Sequence, residues 1–477
     1  MKPGSHIHLI GICGTAMASL AGLLQQRGHR VTGSDAAAYP PMSDLLRTLG
    51  IPILEPYQES NLKPSPDLVV VGNAISRGNV ELEYVLENRL PFQSMAQVVH
   101  DEFLSQRTPL VVAGTHGKTT TSSILAWILE TAGNAAPQFT PSFLIGGVAE
   151  NFGTSFRWST TDHAGYFVIE GDEYDTAFFD KGPKFLHYFP QAMVLTSVEF
   201  DHADIYRSLE EVKTAFKRLV NLVPRNGRIV AYDGNENVTE CVAKAFCTVE
   251  RYGFSKDAAW QLRNLSQDER TTRWEIFRDG SLWSEVEMPL AGEHNALNAT
   301  AAAALAAGQG VSERAVRQAL AKFQSVKRRL EVKAIVNGVT LIDDFAHHPT
   351  AIRETLRALR ARYPQARLWA LLEPRSNTLR RNVFESALVD SLAAADHVIL
   401  ADVYRAASIP EDERLNPQSV IAQLLARKVP AELLADADAI AESLAPRLRA
   451  GDVVAVLSNG GFGNIYEKLP SRLREIA

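Results

Sequence analysis

The chain has 477 residues, 46% hydrophobic and 22% charged, with a formal net charge of −6. That length suits about three domains of ordinary globular composition, and the acidic balance argues against a nucleic-acid binder, whose surface carries excess Lys and Arg. Cys13, Cys241 and Cys247 give neither a disulfide framework nor a CxxC zinc pair. No run reaches about 18 apolar residues, and the segment from Met1 to His6 lacks a signal-peptide core, so a cytoplasmic protein with no membrane partner is expected.

Short apolar runs recur along the chain and stop at small or polar residues. The first, His8-Leu9-Ile10, runs into Gly11-Ile12-Cys13-Gly14-Thr15-Ala16-Met17-Ala18, a glycine turn of nucleotide-binding type. A second strand ends at Gly33-Ser34-Asp35, and Leu68–Val71 ends at Gly72-Asn73. The turn is not G-x-G-x-x-G and is weak evidence alone; for this part of the chain an NAD-linked oxidoreductase is the rival reading. Further runs are Leu110–Ala113, Tyr166–Ile169, Met193–Leu195, Val339–Ile342, Leu368–Leu372 and Val453–Leu457. Runs this short and apolar suit strands buried on both faces. Helix-like stretches such as Thr120–Glu130 and Asn298–Leu305 lie between them, which predicts parallel sheets covered by helices, an α/β fold. Ligands then bind beyond the carboxyl ends of the strands. Residues Tyr252 to Pro289 alternate polar and apolar and predict antiparallel strands. Polar stretches at Ser105–Thr108 and Ser325–Arg329 place domain cuts at 1–107, 108–327 and 328–477.

Leu110–Ala113 leads into Gly114-Thr115-His116-Gly117-Lys118-Thr119-Thr120, with a helix predicted after it. Glycines let the backbone turn and present N–H groups to phosphate oxygens, and the helix directs its positive end at the same anion. Lys118 can reach the terminal phosphates and Thr119 can ligate Mg²⁺. The spacing is a shortened form of the usual phosphate loop, because position 112 is Val rather than Gly.

Other polar clusters follow other strands. Glu170-Gly171-Asp172-Glu173-Tyr174-Asp175 crowds carboxylates that a hard cation would relieve; a solvated acidic loop is the alternative. His202, in Glu199-Phe200-Asp201-His202, could ligate a cation or orient a carboxylate. Asn295 and Asn298 share one helical face and could meet a purine edge or simply cap the helix. Asp343-Asp344 could accept from ribose hydroxyls. The adjacent His347 and His348 read as structural. Of Arg328-Arg329, either could grip phosphate. Arg375, in Glu373-Pro374-Arg375-Ser376-Asn377-Thr378, is a candidate for reading a carboxylate.

Taken together and in this order, the motifs resemble those of the Mur ligases, ATP-dependent amide ligases of peptidoglycan assembly. The resemblance spans essentially the whole chain. It implies a Rossmann-like N-terminal domain for a UDP-sugar, a central P-loop ATPase domain and a Rossmann-like C-terminal domain that closes over the incoming amine. The segments Tyr39-Pro40-Pro41-Met42-Ser43, Glu170–Asp175, Glu373–Thr378 and Ser458-Asn459-Gly460-Gly461-Phe462-Gly463 resemble members that join UDP-N-acetylmuramate to the tripeptide L-alanyl-γ-D-glutamyl-meso-diaminopimelate in cell-wall recycling. Members that add L-alanine to the same sugar are the alternative within the family; a nucleotide-binding regulator without catalysis is one outside it.

The resemblance implies that Gly11, Gly14, Thr15, Ser34, Asp35, Asn73 and Ser76 hold the UDP-sugar. ATP would be held by Gly114 to Thr120, with Asn295 and Asn298 at adenine and Arg329 and Asp344 at phosphate and ribose. Thr119, Glu170, Glu173 and His202 would serve Mg²⁺, with Lys118, Glu173 and His202 as the catalytic group, and Arg375 with Asn377 would meet the peptide. A monomer or weak homodimer is expected. Some relatives carry a carbamylated Lys a dozen or more residues after the His matching His202; here position 216 is Phe, with Lys217 beside it, and the modification is not expected.

Overall fold

The computed structural model describes residues 1–38, 42–160 and 165–476; the Tyr39-Pro40-Pro41 segment singled out above lies outside them. Alternating strands and helices build three α/β units, each around its own principal sheet. The N-terminal sheet contains His6–Ile10, Arg30–Ser34, Ile53–Leu54, Leu68–Val71 and Phe92–Ser94, all parallel. His6–Ile10 lies between Arg30–Ser34 and Leu68–Val71, so strand order reverses there. Its residues alternate: Ile7 and Leu9 pack with the helix Thr15–Gln26, and Ile10 packs with Leu82 and Val85 of the helix Val80–Glu87.

The central sheet has ten strands. The phosphate-loop strand Thr108–Ala113 sits inside it, flanked by Tyr166–Gly171 and Ala192–Leu195, both parallel to it. Leu110 and Val112 face one side, packed with the helices Lys118–Gly133 and Glu293–Gly308; Val111 and Ala113 face the other. Both helices extend at each end beyond the stretches the apolar pattern predicts, since their first turns carry polar residues. The antiparallel part is Trp260–Gln267, Thr272–Arg278 and Ser281–Met288. It begins later than expected: Thr248–Gly253 pairs in parallel with Arg228–Tyr232. Ala299, Ala301 to Ala304 and Ala306 are fully buried; such small side chains let two helices approach closely without loss of side-chain entropy.

The C-terminal sheet is parallel across Val339–Asp344, Val453–Leu457, Leu368–Leu372, His397–Ala401 and Ala431–Leu434, with Glu331–Val336 antiparallel at one edge. Helices cover both faces: Ile342, Ala370 and Leu372 pack on one side, Leu341, Trp369 and Leu371 on the other. Among the described residues, no helix is long and apolar enough to cross a membrane.

In the helix Leu209–Leu222 the neighbours Phe216 and Lys217 have different surroundings. Phe216 is fully buried, its ring 5.3 Å from that of Phe185. Lys217 and Lys213 both give their ammonium groups to Glu240, at 2.6 and 2.7 Å. Phe216→Ala should lower stability by about 3–5 kcal/mol through the cavity it leaves. Urea titration should show this as an earlier midpoint, while Lys217→Ala should hold the parent midpoint.

Candidate active site

The phosphate loop is fastened to the neighbouring strand end before any ligand is considered. Thr115 N–H donates to the Ser197 carbonyl at 2.9 Å, and His116 N–H to Ser197 Oγ at 3.0 Å. The Thr115 hydroxyl accepts from Glu199 N–H at 2.8 Å, so it is committed to the scaffold. Gly114 has φ +134°, and a Cβ there would lie 2.1 Å from Thr196 Oγ1. Gly117 has φ +79°, and a Cβ would meet the Asn298 carboxamide oxygen at 2.5 Å. Gly117 is also the N-cap of Lys118–Gly133 and offers no side-chain acceptor. The first-turn N–H groups are thereby left for an external anion.

Lys118 stands where the charges converge. Its Nζ lies 2.6 Å from Glu173 Oε2 and donates to the Thr115 carbonyl at 3.3 Å. Burial disfavours its charge, but Glu173, Asp172 and Glu170 outweigh that and raise its pKa. Glu170 accepts from Thr119 Oγ1 at 3.0 Å and from Gly146 N–H at 2.9 Å; burial still pushes its pKa up. Glu173 is buried too, yet Lys118 and His202 pull it down. His202 Nε2 is 3.3 Å from Glu173 Oε1; burial opposes its charge, but Glu173 and Asp201 raise its pKa.

Asp172, Glu173 and His202 bring ligand atoms within 4.8 Å of one another. Crowded carboxylate oxygens fit a hard divalent cation. Thr119 with Glu170, and Glu173 with His202, are each paired at this site, at 3.0 and 3.3 Å. Asp172 is an addition to the sequence reading, held 2.6 Å from Lys184 Nζ. Spacing located the acidic cluster but could not say which carboxylates turn inward.

A cleft of about 330 Å³ runs from this loop to the C-terminal unit. Gly117, Thr120, Asn295, Asn298, Arg329 and Asp344, all candidates from the sequence, line it together. Tyr232, Tyr252 and Leu290, which no motif singled out, add apolar walls. Asn295 Nδ2 donates to the Ala291 carbonyl at 2.7 Å, and Asn298 rests against Gly117. The two adjacent arginines separate: Arg328 is fixed on Asp343 at 3.0 Å, with the Ser458 and Gly460 carbonyls as further acceptors. Arg329 faces the cleft. Asp344 accepts from Leu330 N–H, Ala346 N–H and Thr355 Oγ1 at 2.8, 2.9 and 3.1 Å, so it braces the loop that carries Arg329.

Polar bonds join the strand-end loops of the central and C-terminal units. Thr378 Oγ1 donates to Asp201 at 2.7 Å and Asn377 Nδ2 to Asp204 at 2.8 Å. Thr350 Oγ1 donates to Glu199 at 2.7 Å, and His348 Nε2 lies 3.2 Å from the Phe200 carbonyl. Burial opposes the Glu199 charge, but His116 and Thr350 bring its pKa down to about 2. Burial and His116 lower His348 to about 4, so it is neutral and donates through Nε2. His347 instead turns Nδ1 to the Phe345 carbonyl at 2.8 Å. The two histidines thus point to different partners. Glu199, Thr350 and His348 were not selected from sequence, because their roles depend on docking between units.

In the N-terminal unit, Gly11, Gly14 and Thr15 lie at the carboxyl end of His6–Ile10, with exposed Asn73 and Ser76 beyond the adjacent strand end. Asp35 accepts from Cys13 N–H at 2.9 Å and steadies the turn. Ser34 departs from expectation. Its hydroxyl is fully buried and donates to Glu81, with His8 Nε2 3.3 Å away. Its carbonyl accepts from Gly11 N–H at 2.9 Å. Ser34 shapes the turn from beneath, because the side chain of this last strand residue turns toward Glu81; it does not reach the crevice.

Known proteins place this geometry. Residues 6–107 match the profile "Mur ligase family, catalytic domain", residues 112–306 "Mur ligase middle domain", and residues 328–460 "Mur ligase, glutamate ligase domain". The chain is 44% identical over 464 residues to the UDP-N-acetylmuramate--L-alanyl-gamma-D-glutamyl-meso-2,6-diaminoheptandioate ligase of Escherichia coli, covering 97% of each chain. It is 40% identical over 470 residues to the protein of that name from Haemophilus influenzae, covering 98% of this chain and 99% of that one. The crystal structure of a murein peptide ligase from Psychrobacter arcticus aligns with a TM-score of 0.73 at 36% identity, covering 99% of this chain and all of that one. With all three domains matched in order, the chain belongs to the Mur ligase family.

Proposed function

We propose that this chain is an ATP-dependent ligase that joins the carboxylate of UDP-N-acetylmuramate to the amine of L-alanyl-γ-D-glutamyl-meso-diaminopimelate. The observation that carries the reading is the convergence of three strand ends on Lys118. The phosphate loop supplies an anion site, the Glu170–Glu173 segment a cation site, and the third strand end His202 and the docking contacts. The full-length likeness to two ligases of the tripeptide class supports a peptide acceptor over free L-alanine. In this reading residues 1–107 hold the UDP-sugar, 108–327 ATP and 328–477 the peptide.

A carboxylate does not condense with an amine unaided, because its oxygen is a poor leaving group. One carboxylate oxygen attacks the γ-phosphorus of ATP and ADP departs, leaving an acyl phosphate. The peptide amine, as the free base, attacks the carbonyl carbon. The tetrahedral intermediate then expels phosphate and leaves the amide. Phosphoryl transfer depends chiefly on positioning and neutralisation of charge. Lys118 supplies a cation at the loop, and Glu173 holds that ammonium in place between turnovers. Mg²⁺, held by Thr119, Glu170, Glu173 and His202 with Asp172 beside them, would offset the phosphate charge. Arg329 enters from the C-terminal domain and would assemble at the nucleotide once the domains dock.

Arg375 is the candidate for the peptide side. Its Nη1 is 3.4 Å from Glu373 Oε1, and its side chain lies against the Gly460 backbone. A Cβ on Gly460 would fall 2.1 Å from Arg375 Nε. In assays supplying ATP, Mg²⁺ and UDP-N-acetylmuramate, phosphate release should follow addition of the tripeptide and stay at background with L-alanine. The reverse pattern would assign the chain to the L-alanine-adding class. Lys118→Ala should fold normally and lose at least about 100-fold in kcat, as expected when a preorganised charge is removed. Gly460→Ala should raise the KM for tripeptide in the direction of Arg375→Ala, and an unchanged KM in both variants would remove Arg375 from the peptide site.

A further inference from the structure

Three guanidinium groups crowd around Tyr404 beside the loop that carries Arg375. Arg375 lies 3.9 Å from the Tyr404 ring centroid and Arg405 lies 5.3 Å from it. Arg380 donates to the Tyr404 carbonyl at 3.3 Å and to Asn377 Oδ1 at 2.7 Å. Its Nε is buried without a hydrogen-bond partner. Burial, together with the nearby charges of Arg381 and Arg405, lowers the Arg380 pKa.

Carboxylates are scarce there. Glu373 gives one oxygen to Arg375 at 3.4 Å and the other to Ser458 at 2.6 Å. Asp204 is already taken by Tyr174 and Asn377. Among the described residues, no carboxylate lies within ion-pair distance of Arg405. Its backbone is left-handed, at φ 50° and ψ 43°, a costly conformation for a residue with a side chain. Like charges this close repel one another unless an anion joins them.

The direction of the cluster follows from the chain. Thr378 bonds Asp201, next in sequence to His202, and Asn377 bonds Asp204; Arg380 links Asn377 to the Tyr404 carbonyl, and Arg375 and Arg405 lie against the Tyr404 ring, so a series of contacts joins the His202 loop to Arg405. An acceptor with its amine at the reacting centre would extend its remaining residues along this series. We propose that Arg405, packed with Arg375 on Tyr404, reads the carboxylates of the acceptor peptide's last residue and so selects an acidic tripeptide. This rests on the ligase reading above and adds a residue to it.

The test uses the full-length protein with ATP, Mg²⁺, UDP-N-acetylmuramate and two acceptors. One is the tripeptide with free carboxylates; the other has the carboxylates of its last residue converted to amides. The parent protein should favour the acid by about tenfold or more in kcat/KM, the worth of one charge-assisted hydrogen bond. Arg405→Ala should bring that ratio toward unity through KM for the acid rather than through kcat, with the KM for ATP unmoved. Arg405→Lys, which keeps the charge but loses the planar fork, should fall between them. A parent enzyme indifferent to amidation, or an Arg405→Ala variant that keeps the full preference, would overturn the proposal. Failure of the parent to ligate either peptide would instead overturn the ligase reading.

Discussion

The site depends on one electrostatic constraint: Glu170, Asp172 and the buried Glu173 crowd beside a single loop lysine. Burying charge is costly unless it is paired and hydrogen-bonded. Each carboxylate has its own relief: Thr119 and Gly146 for Glu170, Lys184 for Asp172, and Lys118 with His202 for Glu173. The relief is uneven, since Glu170 stays above its ordinary pKa while Asp172 and Glu173 fall below theirs. Such a field favours a divalent cation on the acidic side and an anion on the loop side. It is the pair of demands that Mg²⁺ and a triphosphate meet together.

The fold makes this crowding possible. Parallel strands send all their carboxyl ends to one edge, so residues at 118, 173 and 202 meet although the chain separates them widely. The glycines at 114 and 117 are demanded by contact as much as by backbone angle. A side chain at either would strike Thr196 or Asn298 and lift the loop from its seat. Helix Glu293–Gly308, reaching the loop through Asn298, joins a wall of the cleft to the same scaffold.

The architecture was legible in sequence because doubly buried strands leave a simple trace. Leu368–Leu372 and Val453–Leu457 are apolar throughout and were located to the residue. The phosphate loop, the acidic cluster and Arg329 were legible for a similar reason: each stands at the end of such a strand or beside a domain cut. Ser34 misled because strand ends have two sides, and only the register placed its hydroxyl under the turn against Glu81. Tyr252 and Gly253 misled because alternation reports one exposed face and not strand direction. Glu199 and His348 stood in the quoted motifs but, like Thr350, were given no role, since their contacts arise where two domains dock. The pairing of Arg405 with Tyr404 was hidden likewise, in a loop whose sequence has no periodicity.

The docking contacts have a thermodynamic consequence. Central and C-terminal domains are joined at the site by short polar bonds through Asp201, Asp204, Glu199 and Phe200. Interfaces of this polar kind ordinarily permit domain motion. Any ligand that spans the cleft adds its binding free energy to the docked form alone, and docking in return raises the affinity for that ligand by the same factor. Nucleotide at Arg329 and peptide at Arg375 would therefore help each other bind without touching. The reciprocal cost falls on release: the more tightly the two ends are gripped, the longer the closed form persists, and opening rather than amide formation can set the pace of turnover.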